Sequence, residues 1–185
     1  MVTRGQFLER PTLIPIGRWV LEGVSHRGTR WPLLLVLPPP PAQAGGMDHV
    51  VAAELAFAAA AAGHPTLRFN YRGVGASQGS RGQGEALIED AAAALEVAED
   101  NAGGDRARPK VLVASIQGSD EVALELLRRE PKRVAGACLV SPTTDPARGP
   151  KGVWVVLGEF DDSLSRTRVM ASRARVKLVP SADRT

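Results

Sequence analysis

The segment Lys110–Arg129 constrains the fold more than any other part of the chain. Val111-Leu112-Val113-Ala114 is a β-branched and aliphatic run long enough for a buried strand. Val122, Ala123, Leu126 and Leu127 then recur at the spacing of one apolar helix face. Only Ser115 to Ser119 separate the two, so the chain must turn sharply from strand into helix. Such a turn needs small residues flanking its apex, because strand and helix pack closely there. Ser115 and Ser119 are small, and Gly118 tolerates backbone angles that other residues avoid. The apex itself falls on Gln117, an amide with no nucleophilic oxygen or sulfur.

The remaining segments repeat the alternation. Thr12–Ile16 and Arg18–Val24 read as short strands, and Ser25–Arg30 as a turn into Trp31–Leu37, which predicts an antiparallel hairpin at one sheet edge. The run Leu33–Leu37 does not alternate, as expected of a strand buried on both faces. Asp48 is placed to cap a helix over His49–Ala62 that Gly63 ends. Thr66–Tyr71 is a strand, Arg72–Gly84 a glycine-rich loop, and Glu85–Glu99 a helix. Residues 101–108 are a polar connection. After Arg129 come a strand at Val134–Val140, a loop, a strand at Val153–Leu157, a short helix at Asp162–Ala171 and a last strand at Arg175–Val179. Strands alternating with helices build a mostly parallel α/β sheet with helices on both faces and right-handed crossovers. A length of 185 residues without an internal repeat fits one domain, 1–185.

Composition removes several functions. A net charge of +3 without clustered basic residues argues against nucleic acid as a partner. The single cysteine, Cys138, permits no disulfide framework within the chain, and His26, His49 and His64 lack metal-ligand spacing, so no metal or cofactor is expected. The first ten residues lack the apolar stretch of a signal peptide, and Val50–Ala62 is too short to span a bilayer. A cytoplasmic location without membrane attachment is the expectation. Gly73, Gly75 and Gly79 are spaced one residue longer than a dinucleotide fingerprint, and no Lys-Ser or Lys-Thr follows them.

The segment Arg68-Phe69-Asn70-Tyr71-Arg72-Gly73-Val74-Gly75-Ala76-Ser77-Gln78-Gly79, with Gly84-Glu85 and Asp90 beyond, resembles the small α/β hydrolases related to dienelactone hydrolase. The resemblance runs from about Leu21 to the C-terminus. It implies an α/β-hydrolase fold in which Arg72 reaches an acidic group, with Asp90 a candidate, and in which the turn at Gln117 is a nucleophile elbow. Carried over by position, the resemblance puts Gln117 where such enzymes carry serine; a shifted register would put Ile116 there. Neither side chain can form an acyl-enzyme. Gly158-Glu159-Phe160-Asp161 fits the pattern that holds the acid, which places Asp161 at that position with Asp162 beside it. Behind Ala182-Asp183, where the histidine belongs, stands Arg184, which stays protonated and cannot serve as a base. Of the two oxyanion donors, Gly118 could supply one N–H. The other falls within Pro38-Pro39-Pro40-Pro41, and proline has no N–H.

Four other serines, Ser77, Ser115, Ser119 and Ser141, lie near the carboxyl ends of strands, where this fold binds ligands. Ser119 reads as a helix cap and Ser115 as the small residue of the turn. Only His49 could be brought close to any of them, because His64 belongs to the opposite end of the sheet. Cys138 reads as a small buried hydrophobe in mid-strand. The expectation is therefore a catalytically inactive relative that acts by binding. Gln117, Gly118, Gly45, Gly46 and Asp161 are its candidate contacts to a small polar ligand. The alternatives are a weak esterase or thioesterase using another serine, or an interaction subunit with a filled crevice. The resemblance also implies a final helix beyond the histidine position, for which no sequence remains. Arg166, Arg168, Arg173, Arg175 and Lys177 make the last segment basic, either as protection of an edge strand or as a docking surface for a second copy or an acidic partner.

Overall fold

In the computed structural model, residues 8–101, 111–146, 149–161 and 174–180 are described. The chain runs through β1 (Arg10–Ile16), β2 (Trp19–His26), β3 (Leu33–Leu37), a single 3-10 turn at Pro41–Gln43 and α1 (Val50–Ala61). It continues with β4 (Thr66–Phe69), α2 (Glu85–Asn101), β5 (Val111–Ile116), α3 (Asp120–Arg129), β6 (Val134–Val140), β7 (Val153–Gly158) and β8 (Arg175–Val179). The eight strands form one sheet in the order β1-β2-β4-β3-β5-β6-β7-β8. From β4 to β8 all pairings are parallel, while β1–β2 and β2–β4 are antiparallel. The antiparallel edge is present, but its hairpin joins β1 to β2 through Gly17, and β2 then pairs with β4 rather than with β3. Ser25 and His26 belong to β2, and the chain crosses over from there to β3 rather than turning in a hairpin.

Right-handed crossovers decide which face each helix covers. The chain moves from β3 to β4 in one direction, and α1 packs on one face through Ala52, Ala56 and Ala60. From β4 onward it moves in the opposite direction, and α2 and α3 pack on the other face. There Leu35, Leu37, Phe69, Val113, Leu139, Val155 and Leu157 of the strands meet Leu95, Ala94, Val122 and Leu126 of the helices in the principal core. The α1 face has a smaller core, in which the fully buried residues are Val36, Ala52, Ala56 and Ile116.

Two local expectations change. Asp48 does not cap α1: the cap position is His49 with no side-chain bond, and the Asp48 carboxylate lies 3.6 Å from the Arg68 guanidinium. Ser119 occupies the cap position of α3, but its hydroxyl is used elsewhere. The expected helix at Asp162–Ala171 lies outside the described residues.

The glycine-rich loop is stitched to the sheet by its own side chains. Asn70 Oδ1 accepts from the Met47 N–H at 2.6 Å, and Asn70 Nδ2 donates to Glu22 at 2.6 Å. Glu22 also accepts the Ala76 N–H, the Ser77 hydroxyl donates to the Asn70 carbonyl, and Gln78 exchanges bonds with Val20 on β2. Gly75, at φ 56°, lies so close to Glu22 that a side chain there would collide with the carboxylate. Arg72 is fixed by Asp90, which accepts from its Nε at 2.7 Å and from its backbone N–H at 2.9 Å. Glu89 accepts from the same guanidinium at 2.9 Å. The loop is thus structural, and the pairing of Arg72 with Asp90 is the one its sequence suggests.

Asp90 is fully buried. Replacing it with alanine leaves the buried Arg72 guanidinium and its backbone N–H without their main acceptor, and breaking one side of a buried pair costs about 3–5 kcal/mol. Urea denaturation of Asp90→Ala should show a loss of that size. A loss under about 1 kcal/mol, the range of exposed pairs, would show that the bridge is solvated.

Candidate functional site

The strand–turn–helix of β5 and α3 presents Gln117 at the carboxyl end of the parallel strands. Gln117 has φ 32° and Gly118 φ 82°, so the turn needs two consecutive left-handed residues. A non-glycine residue in such a conformation costs about 1–3 kcal/mol and persists only where its neighbours hold it. Three anchors do so. The Gln117 N–H donates to the Val140 carbonyl at 3.2 Å. The Ser119 hydroxyl donates to the Pro38 carbonyl at 2.6 Å, tying the turn to the loop after β3. Ser115 donates to Asp120, which also accepts from the Thr143 hydroxyl and from the Thr143 and Thr144 N–H groups, tying the turn to the loop after β6.

Asp120 is fully buried, and burial raises its pKa against the opposing pull of the Thr143, Thr144 and Ser115 bonds. Tyr71, also fully buried, approaches Ser119 Oγ at 3.2 Å. Since the Ser119 proton goes to Pro38, Tyr71 is the donor. Burial pushes the Tyr71 phenol well above its ordinary range, so it remains protonated in this role.

Each of the four substitute serines is engaged with a partner other than histidine. Ser115 bonds to Asp120, Ser119 to Pro38 and Tyr71, and Ser77 to Asn70 and Glu22. Ser141, at φ 48°, donates to Asp161 at 2.8 Å. His26 shares a bond with Thr66, and His64 donates to the Pro32 carbonyl at the far end of the sheet. Nδ1 of His49 is buried without a partner. Among the described residues there is no serine–histidine pair.

The carried-over positions come together in part. Gln117 is joined through Val140 to Ser141, and Ser141 to Asp161, whose Oδ2 also accepts the Gly158 N–H at 2.9 Å. The other oxygen of this buried carboxylate, Oδ1, has no partner. Arg184 lies outside the described residues. The proline run brings a carbonyl to the turn, that of Pro38. Gly45 lies so close to Pro39, and Gly46 to Asn70, that both glycines serve to close the loop. One residue at the site gave no signal in the sequence: Gln43, whose side-chain amide lies where a Cβ on Gly118 would sit. It stands in a loop, without periodicity or motif to mark it. Among the described residues no cluster of His, Cys, Asp and Glu could hold a metal ion, and no helix is long and apolar enough to cross a membrane.

Comparison with known proteins places this geometry. No family model matches the chain. An uncharacterized protein of Rickettsia prowazekii is 32% identical over 120 residues, which is 64% of this chain. The chain spans about half the length of that relative, 48%. An α/β serine hydrolase homologue from Coxiella burnetii superposes with a TM-score of 0.76 at 22% identity, covering 95% of this chain and 88% of the other. A lidless α/β serine hydrolase from Xanthomonas campestris gives 0.78 at 18%, covering 95% and 85%. A dienelactone hydrolase from Anabaena variabilis gives 0.75 at 14%, covering 97% and 88%. The fold is the α/β-hydrolase fold.

The raised pKa of Asp120 has a definite sign in stability. Between the ordinary carboxylate value and the raised folded value, the folded state binds the proton more tightly than the unfolded state. Its contribution therefore improves as pH falls through that window, and above it the full burial penalty is present. Relative to Asp120→Asn, the wild type should gain stability on acidification from neutral pH toward pH 4, read by urea denaturation at each pH. A parallel pair of curves would contradict this.

Proposed function

We propose that this chain is a hydrolase-fold protein that does not form an acyl-enzyme and acts by binding at the crevice where the nucleophile would stand. The observation that carries this reading is Gln117 at the strained apex, φ 32°, with its neighbours anchored on both sides. The turn projects a side chain from the carboxyl end of the sheet, where this fold binds ligands. An amide there donates and accepts hydrogen bonds but cannot attack a carbonyl. The occupied hydroxyls of Ser77, Ser115, Ser119 and Ser141 support the same reading, since none has a histidine to take its proton. The basic side chain at the histidine position, Arg184, and the loss of an N–H donor at the proline run point the same way.

The polar groups on this side of the turn are the Gln117 amide, the Gly118 backbone and Asp161. Asp161 keeps one oxygen unpartnered, but buried, so a ligand would reach it only if the surrounding side chains moved. Gln43 favours a second reading, because its amide over Gly118 fills part of that space from within the chain. In that case the crevice is closed and the protein acts through its outer surfaces. Substitution Gln43→Ala separates the two: it opens the site above Gly118 and leaves the anchors of the turn intact.

A fluorophosphonate probe followed by intact-mass measurement tests the absence of a nucleophile. The expected result is unmodified protein after prolonged exposure. Stoichiometric addition at any serine would falsify the proposal and turn attention to a serine esterase or thioesterase.

A further inference from the structure

At the amino ends of the parallel strands, opposite the crevice at Gln117, the sheet and α2 enclose a cavity of about 340 Å³. Every residue that borders it is a described one: β1 and the end of β2 on one side, the starts of β3 and β4 as the floor, and the last turns of α2 on the other. Small side chains create it. Where the adjoining layer of the core is filled by Ile14, Leu21 and Leu95, this layer has Thr12 on β1, Ser25 on β2 and Ala98 on α2.

Strand periodicity decides what faces the cavity. Arg10 and Thr12 share a face of β1 with the buried Ile14, and Ser25 shares one of β2 with the buried Leu21. Arg10 pairs with Ser25, so these side chains stand together on the α2 side, and Arg27 borders the same space. The hydroxyls are not saturated. When Thr12 donates to Ser25 Oγ at 2.9 Å, the acceptor for the Ser25 proton among the described residues is the Arg10 carbonyl at 3.5 Å, too long for a good hydrogen bond. That proton can turn to a bound acceptor instead.

The charge around the cavity has one sign. Arg10 and Arg27 are exposed, and neither forms an ion pair among the described residues. Glu9, next to Arg10 in sequence, takes a hydrogen bond from Arg68 at 2.9 Å on the other face of the sheet. No aspartate or glutamate borders the cavity. Its floor is apolar, with Leu33 and Leu67 both buried.

We propose that this cavity binds a small organic anion, with a carboxylate or phosphate group held by Arg10, Arg27 and the Ser25 hydroxyl and a compact apolar body on Leu33, Leu67 and Ala98. Guanidinium forks match either oxyanion. The volume lies at the lower end of the range for small-molecule sites, about 300–1,000 Å³, which suits one ring or a short chain rather than a nucleotide. The proposal does not depend on the reading of the crevice, which lies at the other end of the sheet.

The test uses benzoate and phenyl phosphate as anions and benzamide as an uncharged isostere, with affinity read by calorimetry and location by amide chemical shifts. The wild type should bind at least one of the anions saturably, with shifts centred on Thr12, Ser25, Arg27 and Asn101, and the tighter anion identifies the head group. Benzamide should bind at least about tenfold more weakly, because a hydrogen bond to a charged group contributes on the order of a tenfold factor. Arg10→Gln/Arg27→Gln should weaken the anion at least about tenfold and leave benzamide unchanged. Lys132→Gln/Lys151→Gln, which removes the same charge at exposed positions elsewhere, should change neither. Absence of saturable binding by both anions, equal affinity for benzamide, or an equal loss in the lysine variant would overturn the proposal. So would shifts centred on Gln117 and Gly118, because the anion would then occupy the crevice. Circular dichroism of both double variants confirms that these exposed substitutions leave the fold in place.

Discussion

The hydrogen bond from the Ser119 hydroxyl to the Pro38 carbonyl, 2.6 Å long and fully buried, joins the two loops on which everything at the carboxyl end of the sheet depends. It crosses from the start of α3 to the end of β3, so the turn at Gln117 cannot relax without disturbing the neighbouring strand. Asp120 makes the matching connection toward β6 through Ser115, Thr143 and Thr144. Between these ties, Gln117 and Gly118 are held in left-handed backbone, a conformation costing about 1–3 kcal/mol for the glutamine. The same ties that hold the elbow in shape consume the hydroxyls that could have replaced its nucleophile.

Much of this was legible in the sequence, where apolar patterning and turn residues agree. The run Val111–Ala114, the spacing of Val122, Ala123, Leu126 and Leu127, and the brief interval between them require the sharp turn. The pairing of Arg72 with Asp90 followed from the loop motif and its resemblance. What remained hidden were choices between equivalent local partners. Asp48 and Ser119 both look like helix caps in one dimension, yet Asp48 lies beside Arg68 and Ser119 bonds to Pro38, because tertiary acceptors compete with the helix ends. Strand neighbours were hidden for a similar reason: β2 and β3 are consecutive, but β4 lies between them in the sheet. Gln43 could not be found at all, since its approach to Gly118 depends on how the proline-rich loop folds back over the turn.

The candidate site was an expectation carried by the resemblance, and the structure adds what surrounds Gln117 and Asp161. Gln117 follows β5 and Asp161 follows β7, on either side of β6, and the two are linked across it through Val140 and Ser141, so an amide and a buried carboxylate with one unpartnered oxygen stand at the same end of the sheet. Both groups are suited to recognition by hydrogen bonding.

The central claim, that no acyl-enzyme forms on this scaffold, is tested most directly by stopped-flow hydrolysis of p-nitrophenyl acetate with the protein in excess of trace contaminants. The account predicts a linear release of p-nitrophenolate without an initial burst, at the same rate for wild type and Gln117→Ala. A burst with an amplitude equal to the protein concentration would contradict it, because that amplitude counts one acylated side chain per molecule.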